Sequence, residues 1–241
     1  MKTILISTIV RNRGKTLHKW HSQIKDLVLK DKKNKYYLSV YENDSTDDSK
    51  DILKSLDFSF FEDFYLGIED IKTQYYESVL STDGDRTSNL ATARNKTIFA
   101  KDFLKKCTHI LSIEPEVTYN TSLVLEKIIN TDHDIISGIS KAPPQGANHN
   151  LPYDSWATRK NLYDHGWYTT NELKGKMDVW STYNCLCFYN AKPFNSGVCF
   201  GSYNLRKKKF DCDTAVICEN FRTVGYNDIK MDVDVVIKHD C

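Results

Sequence analysis

The sequence predicts an α/β fold, with a single domain, a mostly parallel central sheet and helices on both faces. Short apolar runs alternate with segments of helical spacing from residue 3 to residue 139. Several of these runs end in polar or acidic residues, as strands do where their carboxyl ends line a ligand site. The chain has 241 residues, 40% of them hydrophobic, which suits one domain of this class.

Three elements open the chain. A β-branched apolar run over residues 3 to 10 predicts a first buried strand, and the apolar spacing across residues 15 to 29 predicts a helix. The run over residues 36 to 41, Tyr-Tyr-Leu-Ser-Val-Tyr, predicts a second strand. An acidic loop follows it, in which Ser45 or Thr46 would cap the next helix.

The middle of the chain continues the alternation. An aromatic-rich segment, residues 58 to 68, contains a further short strand. Residues 83 to 86 predict a turn, and residues 88 to 106 predict one long helix. Residues 109 to 113 predict a strand that ends at Glu114-Pro115-Glu116, because proline cannot continue a central ladder.

The last part of the chain contains fewer regular elements. Residues 141 to 176 are rich in proline, glycine and aromatic residues, which predicts a loop-rich segment and not a second domain. The remaining elements follow from apolar spacing. They are helices over residues 122 to 129 and 213 to 224, and strands over residues 134 to 139, 179 to 189 and 233 to 239.

Composition excludes several classes of protein. The formal net charge is +1, which argues against a nucleic acid partner, and the basic run Lys207-Lys208-Lys209 is interpreted as a solvated loop. Seven cysteines without a CxxC pair indicate reduced thiols and no structural zinc site. Polar residues interrupt the N-terminal apolar run, and no stretch reaches the length of a membrane span. We therefore expect a soluble, cytoplasmic protein with no integral membrane segment.

The two carboxylates of Glu114 and Glu116 lie at the predicted end of a central strand. Ligands bind beyond the carboxyl ends of strands in open α/β sheets, and carboxylate oxygens suit Mg²⁺ or Mn²⁺. The alternative is that both are solvated turn residues.

Several segments, in this order, resemble the GT-A fold of nucleotide-sugar glycosyltransferases. Residues 41 to 47 look like its acidic loop after the second strand, and Ala93-Arg94-Asn95 is similar to a helix segment that commonly ends in Ala-Arg-Asn. Glu114-Pro115-Glu116 occupies the place of the DxD metal motif. Asp213 precedes Gly225, in a region where such enzymes often place an acidic residue.

A narrower resemblance is to the fungal capsule-associated α-1,3-mannosyltransferase family and to related enzymes of large DNA viruses. Residues 153 to 159, 180 to 184 and 211 to 225 carry it, and the similarity extends over roughly residues 3 to 239. The chain departs from the pattern in two respects. Glutamates replace the usual aspartates of the metal motif, and we expect no counterpart here of the membrane anchor that the fungal members carry.

The resemblance implies a divalent cation, Mn²⁺ or Mg²⁺, that stabilises the diphosphate leaving group. Glu116 is the expected direct ligand, and Glu114 would hold ribose or reach the ion through water. His239 would add a ligand if the last strand folds back to the site. The alternative for His239 is a purely structural role.

The nucleotide would lie against the ends of the first two strands. Arg11 and Asn12 would contact base or phosphate, and Glu42 would accept hydrogen bonds from ribose or base. For Asp44, two roles stay open: it would either bind the nucleotide or stabilise the N-terminus of the next helix. Arg94 would either reach the diphosphate or pair with an acidic residue such as Asp85 to hold the wall of the site.

Other residues are expected to contact the acceptor. Asp213 is the expected general base or acceptor-orienting carboxylate, with Asp211 and Glu219 as rivals. A further group would form the pocket for the donor sugar or the acceptor, because aromatic faces and carboxylates suit sugar rings. Its members are Asp154, Trp156 and Arg159. The alternative for Trp156 is core packing.

These expectations combine into one hypothesis. The chain would be a metal-dependent glycosyltransferase that moves mannose, or a similar hexose or deoxyhexose, from a GDP- or UDP-linked donor to a glycan hydroxyl. Residues 1 to 139 would bind the nucleotide sugar and residues 140 to 241 the acceptor. The alternative is a nucleotide- or glycan-binding module without turnover. A nucleotidyltransferase is a third class, for which Arg11-Asn12-Arg13-Gly14 is only a thin phosphate loop. Whether the configuration of the sugar is retained or inverted stays open.

Overall fold

The computed structural model describes residues 1–74, 84–141, 152–163 and 168–240. Strands and helices alternate along the chain. The strands are β1 (Thr3–Val10), β2 (Lys35–Asn43), β3 (Phe64–Glu69), β4 (His109–Ile113), β5 (Val117–Thr118), β6 (Ile135–Lys141), β7 (Lys176–Asp178), β8 (Leu186–Asn190), β9 (Tyr203–Asn204), β10 (Lys209–Phe210) and β11 (Ile229–His239). The helices are α1 (Gly14–Lys30), α2 (Ser49–Ser55), α3 (Gly84–Ile98), α4 (Phe103–Lys106), α5 (Thr121–Val124), α6 (Lys192–Asn195) and α7 (Asp213–Thr223). A π-helical turn, Leu125–Ile129, continues α5, and a 3₁₀ turn spans Thr170–Glu172.

The central sheet of the described residues has nine strands. Eight of them run in the order β3-β2-β1-β4-β8-β6-β11-β5, and β7 pairs with β11. The pairs β3–β2, β2–β1, β1–β4 and β6–β11 are parallel, whereas β8 is antiparallel to both of its neighbours. The short strands β5 and β7 are antiparallel to β11, so six of the nine strands run in one direction, and the prediction of a mostly parallel sheet is confirmed. The carboxyl ends of β1, β2, β4 and β11 consequently meet at one edge, together with the start of β8.

Helices cover both faces of this sheet, as predicted. Successive side chains of β1 enter opposite cores, because side chains alternate along a strand. Ile4 and Ile6 pack in the core under α1, where Leu17 and Trp20 are fully buried or nearly so. Leu5 packs in the second core, which α3, α4, α6 and α7 cover. Helical spacing of apolar residues on α1 thus orients its buried stripe toward the sheet.

Two local predictions in the middle of the chain are wrong. The helix predicted over residues 88 to 106 is two helices, because the chain turns at Lys101, whose φ is 47°. This turn leaves Phe99 44% exposed but buries Phe103 against Tyr37, with 5.2 Å between the ring centroids. The turn predicted over residues 83 to 86 is helical from Gly84 onward, and residue 83 lies outside the described residues.

The caps and the strand before β8 also differ from expectation. Neither Ser45 nor Thr46 caps α2. The hydroxyl of Ser45 instead accepts a hydrogen bond from the backbone N–H of Asn12. The strand predicted over residues 179 to 189 begins only at Leu186, because Asn184 and Cys185 adopt positive φ values of 54° and 61°. Much of the predicted loop-rich segment, residues 142–151 and 164–167, lies outside the described residues.

Candidate active site

A cleft of about 490 Å³ opens at the edge of the sheet where the strand ends meet. Side chains that follow β1 and β4 line it, together with side chains of α3, the start of α7 and the end of β11. Ligands in open α/β sheets bind at this edge. Most of the predicted site residues reach the cleft. They are Arg11, Arg94, Glu114, Glu116, Asp154, Trp156, Asp213 and His239.

The backbone of the two-glutamate motif is fixed on both sides. The N–H of Glu114 donates to the carbonyl of Cys185 at 2.9 Å, which ties the end of β4 to the start of β8. The carbonyl of Glu116 accepts from the N–H of Asp240 at 2.7 Å, next to the pairing of His239 with Val117. The last strand therefore folds back to the site, which was the condition for a role of His239.

Glu116 lies almost fully buried in the cleft wall. Its Oε1 accepts a hydrogen bond from Nη2 of Arg13 at 2.8 Å and lies 3.8 Å from Nε2 of His239. Burial and the neighbouring charge of Glu114 raise the pKa of Glu116, and Arg13 opposes that rise. Burial therefore disfavours the ionised form of Glu116, and a bound cation would favour it.

Glu114 belongs to a second charged group. The guanidinium of Arg94 donates to Oε1 of Glu114 at 3.0 Å and to Oδ2 of Asp213 at 2.8 Å. Arg94 also donates to the hydroxyl of Tyr183, and its guanidinium carbon lies 4.3 Å from the centre of that ring. Burial opposes ionisation of Glu114, but Arg94 outweighs it and lowers the pKa of that carboxyl. Burial has the larger effect on Asp213 and raises its pKa, although Arg94 acts in the opposite direction.

The donor groups in the cleft fit a divalent cation. One ligand atom each from Glu114, Cys185 and His239 lie within 4.8 Å of one another, and Glu116 adjoins His239. Carboxylate oxygen and imidazole nitrogen suit Mn²⁺. In the protein without metal, burial and the charge of Glu114 raise the pKa of the Cys185 thiol, and sulfur is a softer ligand than Mn²⁺ prefers. Glu114 and His239 are therefore the residues of this set that fit the ion, and Glu116, 3.8 Å from His239, is a further carboxylate beside them.

Asp154 is the third cleft carboxylate with a raised pKa, after Glu116 and Asp213. Burial, assisted by the charge of Glu114, raises the pKa of Asp154 to about 6, against a hydrogen bond of 3.1 Å from the N–H of Asn184. A carboxyl group that titrates there can hold or accept a proton near neutral pH. Trp156 lies two residues further along the same cleft wall and also packs against the second core.

Of the residues predicted on the nucleotide side, Arg11 reaches the cleft and Asn12 does not line it. Arg11 donates to the carbonyl of Thr73 at 2.7 Å and to its hydroxyl at 2.9 Å. Asn12, with a φ of 54°, accepts from the N–H of Thr46 at 2.8 Å. Its contacts join the loop after β1 to the loop after β2, so the prediction that Asn12 contacts the nucleotide is corrected.

Glu42 and Asp44, which were expected on the nucleotide side, accept hydrogen bonds from loop backbone and do not line the cleft. Glu42 is fully buried and accepts from the N–H of Ser45 at 2.8 Å. Asp44 accepts from the N–H groups of Lys72 and Thr73 at 2.8 and 2.9 Å. These hydrogen bonds outweigh the effect of burial and lower the pKa of Asp44. Both side chains therefore have structural partners in this structure, and a nucleotide contact of Glu42, or of Asp44 as one of its two expected roles, stays a prediction.

Asp211 and Arg159 form a buried ion pair away from the cleft. Both oxygens of Asp211 accept from the Arg159 guanidinium, at 2.6 and 2.8 Å, and each side chain is at most 2% exposed. Lys207 lies 3.0 Å from the same carboxylate, so the first lysine of the basic run is buried and not solvated. The expected catalytic role of Asp211 and sugar contact of Arg159 are corrected, because neither group faces the cleft. Glu219, the other rival of Asp213, accepts a hydrogen bond from Trp180.

Among the cleft residues that were not predicted to be part of the site, three contact or adjoin the two-glutamate motif. Arg13 belongs to the loop after β1 in which Arg11 and Asn12 were chosen, and its side chain is 36% exposed. Tyr183 lies in the segment 180–184, which carried part of the family resemblance but was given no role. Cys185 lines the cleft from the position just before β8, where its φ is 61°.

Solved structures with the same fold include nucleotide-sugar glycosyltransferases. Staphylococcus aureus TarS 1–349 superposes with a TM-score of 0.56 at 12% identity, covering 99% of this chain and 60% of that chain. The mannosyltransferase PcManGT from Pyrobaculum calidifontis, solved with GDP-Man and Mn²⁺, gives 0.57 at 10% identity over 98% of this chain and 56% of that chain. GalNAc-T7, solved with UDP, GalNAc and Mn²⁺, gives 0.55 at 12% identity, over 99% of this chain and 44% of that chain. The architecture is therefore that of the GT-A fold, and the chain spans about 60% of the length of TarS 1–349.

A family model described as Cryptococcal mannosyltransferase 1 matches residues 3–220. The match extends over most of the chain, so the protein belongs to this family. No curated protein sequence matches the chain. Within the described residues, none of the helices combines the length and apolar character needed to cross a bilayer.

Proposed function

We propose that this protein is a metal-dependent glycosyltransferase that moves mannose, or a similar hexose or deoxyhexose, from a nucleotide-diphosphate sugar to a glycan hydroxyl. One observation carries the proposal. Ligand atoms of Glu114 and His239 lie within 4.8 Å of each other, and Glu116 lies 3.8 Å from His239, inside a cleft large enough for a nucleotide sugar. The mannosyltransferase family of the chain supports the same conclusion.

Glu116, Glu114 and His239 would hold Mn²⁺ or Mg²⁺. When bound, the cation would supply Lewis-acid stabilisation of the diphosphate leaving group. The backbone hydrogen bonds of both glutamates fix the direction from which their carboxylates enter the cleft. Arg94 neutralises part of the charge of Glu114 and Asp213 while no ligand is present.

The nucleotide would lie between the ends of β1 and β2, where Arg11 and Asn43 line the cleft. On this view, residues 1–139 bind the donor and residues 140–241 bind the acceptor. GDP-mannose is the first donor to test, because the family description names a mannosyltransferase and PcManGT was solved with GDP-Man and Mn²⁺. UDP-sugars follow, because TarS was solved with UDP-GlcNAc.

The acceptor would lie near Asp154, Trp156 and Asp213. Trp156 offers an apolar face for a sugar ring. Asp213 already accepts from Arg94, so in this role it would orient the acceptor side of the cleft. Asp154, whose pKa is raised to about 6, is the better placed of the two to receive a proton from an acceptor hydroxyl.

The test is donor turnover by purified protein with GDP-mannose and UDP-sugars, each with EDTA or Mn²⁺. Release of nucleoside diphosphate that requires Mn²⁺ is the expected result. Glu116→Gln should lower that rate about 100-fold or more, as removal of a transition-state electrostatic group does. Glu126→Gln is the matched control, because this glutamate is exposed on the turn after α5. Nucleotide binding without turnover across the donor panel would establish a binding module instead, and full activity of Glu116→Gln would remove Glu116 from the site.

A further inference from the structure

Arg13 occupies the position on Glu116 that a cation would need. Its Nη2 lies 2.8 Å from Oε1 of Glu116, the oxygen that also lies 3.8 Å from Nε2 of His239. The Glu116 side chain is only 11% exposed, so few directions of approach to its carboxylate remain open. A divalent ion that bound Glu116 and His239 together would compete with this guanidinium for the same oxygen.

The two glutamates of the motif differ in how their arginines are held. Arg94, the partner of Glu114, is 6% exposed and also donates to Asp213 and Tyr183. The side chain of Arg13 is 36% exposed, lines the open cleft and also donates from Nη1 to the carbonyl of Asn12 at 3.3 Å. Of the two guanidiniums, that of Arg13 is therefore the more exposed.

The backbone of Arg13 is fixed while its side chain is not enclosed. Its N–H donates to the hydroxyl of Ser49 at 2.8 Å, and its carbonyl accepts from the N–H groups of Thr16 and Leu17 at 2.9 and 3.2 Å. As the residue that precedes α1, Arg13 keeps one backbone position whether or not its side chain contacts Glu116. Rotation of the side chain alone is enough to change partners.

We propose that Arg13 is an exchangeable counter-ion, which neutralises Glu116 in the metal-free protein and moves to the diphosphate of the donor when a divalent cation takes Glu116. This inference rests on the proposed function. A guanidinium beside a newly bound divalent cation is repelled, and a diphosphate is a partner that its planar fork can bind through two hydrogen bonds. Metal binding and donor binding are then coupled through one side chain.

The exchange predicts changes of opposite sign in Arg13→Gln. Mn²⁺ binding, measured without nucleotide by electron paramagnetic resonance of the free ion, should become about fivefold tighter because the competitor is gone. Binding of GDP or UDP at saturating Mn²⁺, measured by calorimetry, should become about tenfold weaker because a charge-assisted contact is lost. With EDTA, the same substitution should change nucleotide affinity much less, because Arg13 then stays on Glu116.

Arg11→Gln is the matched control for charge. Arg11 lines the same cleft and carries the same charge, but its guanidinium contacts Thr73. Mn²⁺ affinity in this variant should stay within about twofold of the wild-type value, as expected for a charge that does not compete for the ligand oxygen. In Arg13→Lys, which keeps the charge without the fork, nucleotide affinity should fall while Mn²⁺ affinity stays near wild type.

Three results would overturn the exchange. Loss of both affinities in Arg13→Gln would show that Arg13 merely supports the site. Equal gains in Mn²⁺ affinity for Arg11→Gln and Arg13→Gln would show that any positive charge in the cleft weakens Mn²⁺ binding, and that Arg13 does not compete specifically for Glu116. Failure of the wild-type protein to bind Mn²⁺ or any nucleotide would remove the proposed function as well, and it would be recognised before any variant is compared.

Discussion

Arg94 donates a hydrogen bond from Nε to Oδ2 of Asp213 across 119 positions of sequence, with a length of 2.8 Å. Asp213 is the first residue of α7, and Arg94 lies within α3. Since Nη2 of Arg94 also binds Glu114, one guanidinium joins the two-glutamate motif to the opposite wall of the cleft. This connection fixes the distance between the predicted donor and acceptor sides.

Replacement of Arg94 by alanine should therefore damage both stability and activity. Two carboxylates would remain buried without their shared cation, a change that typically costs about 3–5 kcal/mol in unfolding free energy. Urea unfolding measures the loss, and donor turnover at a temperature where the variant is folded measures the effect on activity. Lys96→Ala is the control on the same helix, because its ion pair with Glu69 is more than one third exposed on both sides. It should cost about 1 kcal/mol or less. Equal effects of the two substitutions would contradict the shared-cation role.

The buried cluster of Asp211, Arg159 and Lys207 predicts an unequal pair of effects. Arg159→Ala leaves Asp211 with Lys207 at 3.0 Å, so part of the compensation survives. Asp211→Ala leaves two buried cations facing each other. We expect Asp211→Ala to lower the unfolding free energy by about 3–5 kcal/mol, and Arg159→Ala to lower it less.

A double substitution separates this structural role from catalysis. Arg159→Met with Asp211→Leu removes both charges of the pair, and should be more stable than Asp211→Ala because only Lys207, and not two facing cations, is then left without the carboxylate. Turnover per folded molecule should change little in Arg159→Ala. A large loss of turnover in a variant that is fully folded would return Arg159 to the substrate pocket, against the geometry of its bond to Asp211.

The sequence allowed prediction of features that depend on short-range pattern. The apolar runs identified β1, β4 and β11, and the end of a strand indicated where Glu116 and His239 lie. Parallel pairing then brings such strand ends together, so their convergence follows from the fold class.

The features that failed depend on contacts between distant segments or on single backbone angles. Asp211 and Asp213 are two residues apart, and only the start of α7 decides that one faces Arg159 and the other Arg94. Likewise, Arg11 and Arg13 flank Asn12, whose φ of 54° turns the chain so that the two arginines contact different partners. Neither distinction is encoded in spacing or residue type.

Cys185 offers a test of which groups in the cleft bind the ion. Burial and the charge of Glu114 raise the pKa of this thiol well above its ordinary value, so it stays protonated at neutral pH. Cys185→Ser should therefore change Mn²⁺ affinity by about twofold or less, whereas His239→Ala should weaken it about tenfold or more. Titration of both variants with Mn²⁺ and with Cd²⁺, a softer ion, measures this. If Cys185→Ser instead weakened the binding of both Cd²⁺ and Mn²⁺, the thiolate would be identified as a ligand.

Asp154 gives the protein a defined dependence of stability on pH. Burial, assisted by the charge of Glu114, raises the pKa of Asp154 from 3.8 to about 6. Because the folded state holds this proton more tightly than the unfolded state does, the stabilisation is fully present below about pH 4 and is lost as the pH rises through about 6.

Asp154→Asn removes the titration while keeping the acceptor oxygen for the N–H of Asn184. In EDTA, the free energy of unfolding of the wild type should therefore fall relative to that of Asp154→Asn between about pH 4 and pH 6, by at most about 3 kcal/mol, with no further change above about pH 7. Urea unfolding across this range measures the difference, and Glu126→Gln, at an exposed carboxylate, should show no such trend. A constant difference between wild type and Asp154→Asn over the whole range would mean that Asp154 is already ionised at about pH 4, and would remove it as the group poised to accept a proton.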